Sequence, residues 1–543
     1  MGPGLLPAPR PPRAGRALKP SASRLPLVAA LLALATSLPA LPHPFLHDDP
    51  LAIAGHPFVV GPRTLDALLR HDLWGHPASA SIGSWRPLTT ALFALAYALS
   101  HGHPYALHAL PILFHVVASA LFARVLAARL PSPRAALFAS ALFAVHPLHT
   151  DAVASCVGLA EPLALSLSLL VFRLHRSRRP LALALSPIAF ALALLAKESS
   201  SLLPALLLAH DLAARDRPLR DRLTRHALLA LTLALSLAAR AWALGDAARF
   251  VTDPVANPLA TAPLLTRLAH APALFARGLL QLAFPATLLP DYSATTLPLS
   301  VTPLTLVGVV SLLALLALAY RHRRDPLTVT AVAWLALPGW AAANGLLRLP
   351  VLYAERLWYT PSVGFCLLAG IAFARLEARA RPRALTLTAA ALITLFAVRT
   401  IARDRDWRSE EALYAAAVRD APDNARMRVD LAAVRFDQHR YAESIALCER
   451  AAEITPRWGV PHGCVAIAQD RLGHEREAAR AFGRMLRSDG VERRWWVEAA
   501  RFCARTGRVN TARAILDRLR EQSAWGPDLD AVSRSLATAP RRP

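Results

Sequence analysis

Residues 384–424 read ALTLTAAALITLFAVRTIARDRDWRSEEALYAAAVRDAPDN. No charge interrupts the run from Ala384 to Val398, and from Arg399 onward charges recur and the pattern turns amphipathic. The first half suits hydrocarbon and the second half suits water. The chain therefore divides near residue 400. The portion before it, residues 25–400, carries further apolar runs at about 25–42, 105–127, 134–150, 157–173, 181–196, 199–213, 226–244, 301–319, 327–344 and 357–374. With 384–400 this makes eleven candidate spans. Basic clusters at Arg10–Arg24, Arg124–Arg134, Arg173–Arg179, Arg215–Arg225, Arg321–Arg324 and Arg375–Arg383 separate them and are expected on the cytoplasmic side. Eleven spans then put the amino terminus inside and the carboxyl terminus outside. The segment Arg267–Pro290 is apolar but carries Arg267, His270 and Arg277, and is read as interfacial or re-entrant. Residues 86–100 are too short to span and are read as lying along the surface.

Composition agrees. Of 543 residues 55% are hydrophobic and 18% charged, with mean hydropathy +0.35. Soluble domains average about 25% charged, so a soluble enzyme and a disordered chain are both excluded. The 61 Lys+Arg against 37 Asp+Glu give +24. Those arginines sit between apolar runs, as topology requires, so a nucleic-acid partner is not expected. Heavy use of Arg, Ala, Leu and Pro suggests a GC-rich, bacterial genome. The five cysteines form no CxxC pair, and an odd, scattered set reads as neither a disulfide framework nor a zinc site.

Past residue 400 a 34-residue period appears. Ser444, Ala478 and Ala512 recur at that interval, as do His439, Gly473 and Gly507, and Cys448, Phe482 and Leu516. Pro456 follows Pro422 by the same step. This is tetratricopeptide spacing: two antiparallel helices per repeat, small residues where they cross, and a turn between them. The expected domains are a basic cytoplasmic tail over 1–24, a membrane domain over 25–400, repeats over 401–530 and a disordered tail over 531–543. The first external segment, about 43–104, is the expected catalytic loop.

Ionisable groups at membrane level are costly and point to function. Asp48 and Asp49 are adjacent carboxylates: a proton acceptor, or a solvated loop cap. Arg86, beside Trp85, suits a phosphate or an interfacial anchor. His146, His149 and Asp151 can hold a divalent metal ion or hydrogen-bond a bound phosphate. Glu161 lies just inside the next span. Lys197-Glu198 and Glu355-Arg356 repeat one pattern, a cation beside a carboxylate. Each is an ion pair closing a turn or a charge for a lipid phosphate. His108 and His115, seven apart on one helical face, read as interhelical hydrogen-bonders.

Taken in order, Phe-Leu-His-Asp-Asp (45–49), Ser-Trp-Arg-Pro-Leu-Thr (84–89), Leu-Phe-Ala-Val-His-Pro-Leu-His-Thr-Asp-Ala-Val-Ala (142–154), Ala-Lys-Glu (196–198), Pro-Asp-Tyr-Ser (290–293) and Ala-Glu-Arg-Leu-Trp-Tyr-Thr-Pro-Ser-Val-Gly-Phe (354–365) resemble the transmembrane and tetratricopeptide-containing O-mannosyltransferases. The resemblance runs from about residue 25 to 520. It departs at Leu159, where the family pattern would have arginine, and the chain has about three repeats, fewer than animal relatives.

The resemblance implies an all-α GT-C fold: a multispanning helical domain followed by a short α-solenoid. It implies an inverting glycosyltransferase that uses a polyprenyl-phosphate sugar, mannose by resemblance. The acceptor would be a Ser/Thr hydroxyl of an exported protein, held by the repeats on the periplasmic side of a bacterial inner membrane. Asp48 would be the general base, with Asp49 second. Arg86, His146, His149, Lys197 and Arg356 would bind the donor phosphate. Asp151, Glu161, Glu198 and Glu355 would support these or touch the sugar, and a divalent metal between Asp48 and His149 is an open possibility. The competing reading is a noncatalytic membrane scaffold whose repeats recruit periplasmic partners; it expects the polar groups to pair only locally.

Overall fold

The computed structural model describes residues 24–78, 81–245, 255–297, 302–379, 382–521 and 527–537. Among these the regular structure is helical, and β pairing is confined to isolated bridges. Each of the eleven apolar runs contains one helix. They are α1 (Leu25–Ser37), α3 (Pro104–Ala127), α4 (Pro133–Ala144), α5 (Ala160–Arg176), α6 (Pro180–Ala196), α7 (Leu203–Ala214), α8 (Leu219–Leu244), α10 (Pro303–Arg321), α11 (Pro326–Ala341), α12 (Pro361–Glu377) and α13 (Pro382–Asp404). Between them lie α2 (Pro87–Leu99) and α9 (Leu264–Ala283). Many of the prolines open helices rather than break them, as at Pro104, Pro133, Pro180, Pro303, Pro326 and Pro361. Proline has no N–H to leave unsatisfied in a first turn, and its fixed φ suits that position.

Five helices are long and apolar enough to cross a membrane. Leu231, Leu235, Leu306, Leu313, Leu387 and Leu395 on α8, α10 and α13 face outward. Those rows are stable only against lipid, and the chain is an integral membrane protein. Helix α9 is amphipathic: it buries Ala271, Leu274, Phe275 and Leu282 and exposes Leu265 and Leu280. It lies so close to α10 that a Cβ on Gly308 would sit 1.8 Å from the Pro272 carbonyl oxygen.

The compositional break at residue 400 is not where the core ends. α13 passes through a turn at Arg405–Arg408 into α14 (Glu410–Asp420), and α15 (Ala425–Asp437) follows. Trp407, Leu413, Tyr414, Met427 and Leu431 share one buried cluster with Leu46, Phe143, Tyr359 and Phe396 of the membrane domain. A second cluster begins at Ala432 and continues through α16 (Tyr441–Ile454), α17 (Gly459–Arg471), α18 (Glu475–Leu486), α19 (Arg493–Arg505) and α20 (Val509–Glu521). Hydropathy reports where lipid ends, whereas a domain ends where shared burial ends. The boundary expected at 400/401 therefore moves into α15, where the shared cluster reaches Leu431 and the second begins at Ala432.

The period is structural: α15, α17 and α19 begin at 425, 459 and 493. Ser444, Ala478 and Ala512 are fully buried at the crossings. His439, Gly473 and Gly507 all have positive φ, at 60°, 78° and 75°. The left-handed turn is thus kept even where histidine replaces glycine.

Two expectations are corrected here. Cys448 on α16 and Cys464 on α17 form a disulfide, because stacking of neighbouring helices brings their Cα atoms to 6.2 Å. Cys156, Cys366 and Cys503 are free and buried. The tail expected from residue 531 is instead largely the helix α21 (Pro527–Ala537), which buries Leu529, Val532 and Leu536 against the solenoid. Residues 538–543 and the basic tail up to residue 23 lie outside the described residues.

The shared core has a measurable consequence. Truncation after Thr400 removes Trp407, Tyr414 and Met427 from it, and each large core deletion costs about 3–5 kcal/mol against a total stability of about 5–15 kcal/mol. We expect a chain ending at Thr400 to aggregate on size exclusion. A chain ending at Gln438 should remain monodisperse, with a melting temperature close to that of the full chain.

Candidate functional site

Three ion pairs occupy one end of the membrane helices, and each joins segments far apart in sequence. Lys197 pairs with Glu161 at the first turn of α5, with both side chains buried. Arg86, which precedes α2, gives its Nε to both oxygens of Glu198 at 3.1 and 3.3 Å. The Arg356 backbone N–H donates to Asp151 Oδ2 at 2.9 Å, and its guanidinium lies 3.5 Å from Oδ1.

These pairings cross the sequence neighbours. Lys197 has extended backbone, φ −160° and ψ 139°, so it and Glu198 point to opposite sides. Glu355 turns inward, where it accepts from the Leu289 N–H at 2.5 Å and from the Tyr292 hydroxyl. Of Glu198 and Glu355, expected to orient Arg86, Lys197 and Arg356, Glu198 does hold Arg86, whereas Glu355 binds Leu289 and Tyr292 instead. Glu161 holds Lys197, Asp151 holds Arg356, and Glu198 serves Arg86.

Burial opposes charge on Arg356, but the carboxylates of Asp151, Asp48 and Glu161 outweigh it and hold the guanidinium pKa above its ordinary value. Burial lowers that of Lys197, and Glu161 offsets this only in part. Burial also works against charge on Glu198, yet Arg86 keeps its carboxyl below the usual range.

The two loop carboxylates differ. Asp49 is fully buried. Its Oδ1 accepts from Val157 N–H at 2.9 Å and Ser155 Oγ at 3.1 Å, and its Oδ2 from Leu46 N–H at 3.3 Å. It ties the loop after α1 to the turn before α5. Asp48 is one-third exposed, acts electrostatically on Arg356, and has His47 Nε2 at 3.9 Å from its Oδ1.

The histidine string does not reach this strip. His146 gives Nε2 to the Leu282 carbonyl at 2.9 Å, while its Nδ1 accepts from Leu148 N–H. His149 Nε2 pairs with Ser362 Oγ at 2.9 Å. Both rings are buried against His115, Phe143, Tyr359 and Phe396, so neither has a donor facing a phosphate. His108 and His115 are interhelical hydrogen-bonders as expected: His108 meets the Pro44 carbonyl at 3.1 Å, and His115 meets Tyr359 OH at 2.7 Å.

His146, His149 and Asp151 do not converge as metal ligands: His146 is engaged with Leu282 and Leu148, Asp151 with Arg356 and His149 Nε2 with Ser362, while His149 Nδ1 has no hydrogen-bond partner among the described residues. Among the described residues, Asp49, His108 and Cys156 place one ligand atom each within 4.8 Å of one another, as do His175, Asp211 and His226. In the first group the Asp49 carboxylate is already spent on loop backbone. In the second, Asp211 accepts from both imidazoles, at 2.8 and 3.2 Å. No reaction step is routed through a metal.

Three contacts beside the site have no signal in the local sequence. His47 binds Glu410 and Tyr414, and Asp291 accepts from Arg426 at 2.6 Å. Glu410, Tyr414 and Arg426 occupy ordinary positions of amphipathic helices, where no local signal marks them.

The motif resemblance is borne out by curated relatives. The chain is 25% identical to protein O-mannosyl-transferase TMTC3 of Homo sapiens, over 81% of this chain and 52% of that protein. It is 29% identical to protein O-mannosyl-transferase Tmtc1 of Drosophila melanogaster, over 77% and 59%. It is 29% identical to protein O-mannosyl-transferase TMTC4 of Homo sapiens, over 71% and 60%. The chain thus spans about half to three-fifths of the length of these relatives. No family model matches it.

Glu355 gives the site a pH signature. Burial, with Asp151 adding, pushes its carboxyl from 4.5 up to about 7, against the pull of Arg403 and the Tyr292 hydroxyl. The folded state therefore binds the proton more tightly than the unfolded one. Stability is full below about pH 4.5 and falls as pH rises to about 7, by on the order of 3 kcal/mol. We expect the melting temperature to drop across that window in the wild type and the drop to flatten in Glu355→Gln, measured by thermal melts from pH 5 to 8.5.

Proposed function

We propose that this chain is an inverting membrane glycosyltransferase. It moves a sugar, mannose by resemblance, from a polyprenyl-phosphate donor to Ser/Thr hydroxyls of exported proteins. The observation that carries the reading is Asp48, one-third exposed and within electrostatic reach of Arg356, beside cations paired across 205, 112 and 36 residues of sequence. A scaffold would need only local pairs, and these pairs are not local. Arg86 and Arg356 keep part of their side chains exposed and suit the donor phosphate. Lys197 is a fixed charge behind them, and Glu161 suits sugar hydroxyls at the edge of the pair.

An acceptor hydroxyl is a weak nucleophile. Asp48 takes its proton as the oxygen attacks C1 of the sugar. The C1–O bond to phosphate breaks on the opposite face, and the electron pair leaves on the polyprenyl phosphate. Attack from one face and departure from the other invert the anomeric centre. Charge growing on the leaving phosphate meets preorganised guanidinium groups, which lowers the barrier more than it tightens ground-state binding. A lipid-held donor explains a site at the ends of membrane helices. The repeats, joined to the first external loop, would sit on the same periplasmic side and hold the acceptor peptide there.

Purified full-length protein in nanodiscs, given farnesyl-phosphate mannose and a Ser/Thr-rich peptide, tests this. Asp48→Asn should cut transfer about 10²–10⁴-fold while expression and melting temperature persist. Wild-type turnover in that variant would sink the base assignment, and no donor turnover by the wild type would favour the scaffold.

Topology gives a second test. A reporter fused at Arg323 should read cytoplasmic and one after Pro543 external. A cytoplasmic reading after Pro543 would mean that α9 spans, and would remove the repeats from the catalytic side.

A further inference from the structure

The turn that carries Asp48 is not held by the membrane domain alone. Leu46–Asp49 is a tight turn closed by the Asp49 N–H to the Leu46 carbonyl at 2.9 Å. Its second residue, His47, has φ 55°, a left-handed backbone that favours glycine. Non-glycine residues persist there only where their surroundings fix them. For His47 those surroundings are α14. The His47 N–H donates to Glu410 Oε1 at 3.3 Å. Its Nδ1 pairs with the Tyr414 hydroxyl at 3.2 Å, and the two rings meet edge to face at 5.9 Å. Tyr414 is itself buried, 6% exposed, in the core shared with Leu46. With the Tyr414 O–H donated to Nδ1, the imidazole proton stays on Nε2, the nitrogen that faces Asp48 Oδ1 at 3.9 Å.

We infer that α14, the helix leading into the solenoid, is a positioning element for the transfer reaction: Glu410 and Tyr414 hold His47 left-handed and thereby aim Asp48. The inference rests on the reading of Asp48 as base. Glu410 and Tyr414 touch no reacting atom; they act through His47. Helix α14 is thus part of the catalytic apparatus, although by composition it belongs to the water-facing region.

The test uses the full-length protein in nanodiscs with farnesyl-phosphate mannose and a Ser/Thr-rich peptide. Tyr414→Phe keeps the ring and removes the hydroxyl; Glu410→Ala removes the acceptor of the His47 N–H. Each should lower kcat about ten- to a hundredfold, as sub-ångström misplacement of a reacting group does. KM for the donor should stay within about twofold, because the phosphate site is untouched. In both variants amide hydrogen exchange at residues 46–49 should speed up, while the melting temperature stays near that of the wild type. Unchanged kcat in both variants overturns the inference, whether or not exchange changes. A parallel loss of kcat, donor affinity and melting temperature in both also overturns it, since α14 would then serve only folding. If the wild type turns over no donor, the functional reading fails separately. The exchange arm then decides whether α14 holds the turn: accelerated exchange supports that, and unchanged exchange overturns it.

Discussion

Lys197 lies buried at the end of a helix, and a cation there survives only with a carboxylate in contact. Removing one partner of such a pair leaves an uncompensated charge, a penalty of about 3–5 kcal/mol. Glu161 is that partner, and the pair fixes the start of α5 against the end of α6. Arg86–Glu198 and Arg356–Asp151 impose the same constraint on their own segments. Apolar helices in lipid can slide and rotate at small cost, because lipid tails are as apolar as leucine. Charged pairs at the helix ends remove that freedom. The register of α2, α5, α6 and the turn before α12 is set by electrostatics rather than by hydrophobic fit.

The same logic extends beyond the membrane portion. Asp291 accepts from Arg426, Asn424 donates to the Asp291 carbonyl at 3.1 Å, and His47 donates to Glu410. These contacts surround a continuous apolar core containing Trp407 and Tyr414. The start of the solenoid is therefore a fixed wall beside the loop that carries Asp48.

The disulfide between Cys448 and Cys464 belongs with this arrangement. It joins consecutive helix pairs at the point where the second core begins.

Sequence alone determined what depends on neighbours along the chain. The apolar helices were legible because lipid imposes long uncharged runs, and five of them are long enough to cross a membrane; the repeats were legible because each helix crossing demands a small residue every 34 positions. The position of the turn at His439 followed from its register with Gly473 and Gly507, and the fold shows it to be left-handed. Tertiary structure decided what depends on neighbours in space. Lys197-Glu198 and Glu355-Arg356 read as pairs, yet extended or tightly turned backbone sends adjacent side chains to different sides, and each found its partner elsewhere. His146 and His149 looked available for a ligand, but both are buried and engaged with other parts of the fold. Asp48 and Asp49 are identical in type and adjacent, and only the packing of the turn before α5 against Asp49 separates their roles. Glu410 and Tyr414 carried no signal at all. Their meaning comes from a loop more than 360 residues earlier, which only the folded chain brings within hydrogen-bond reach.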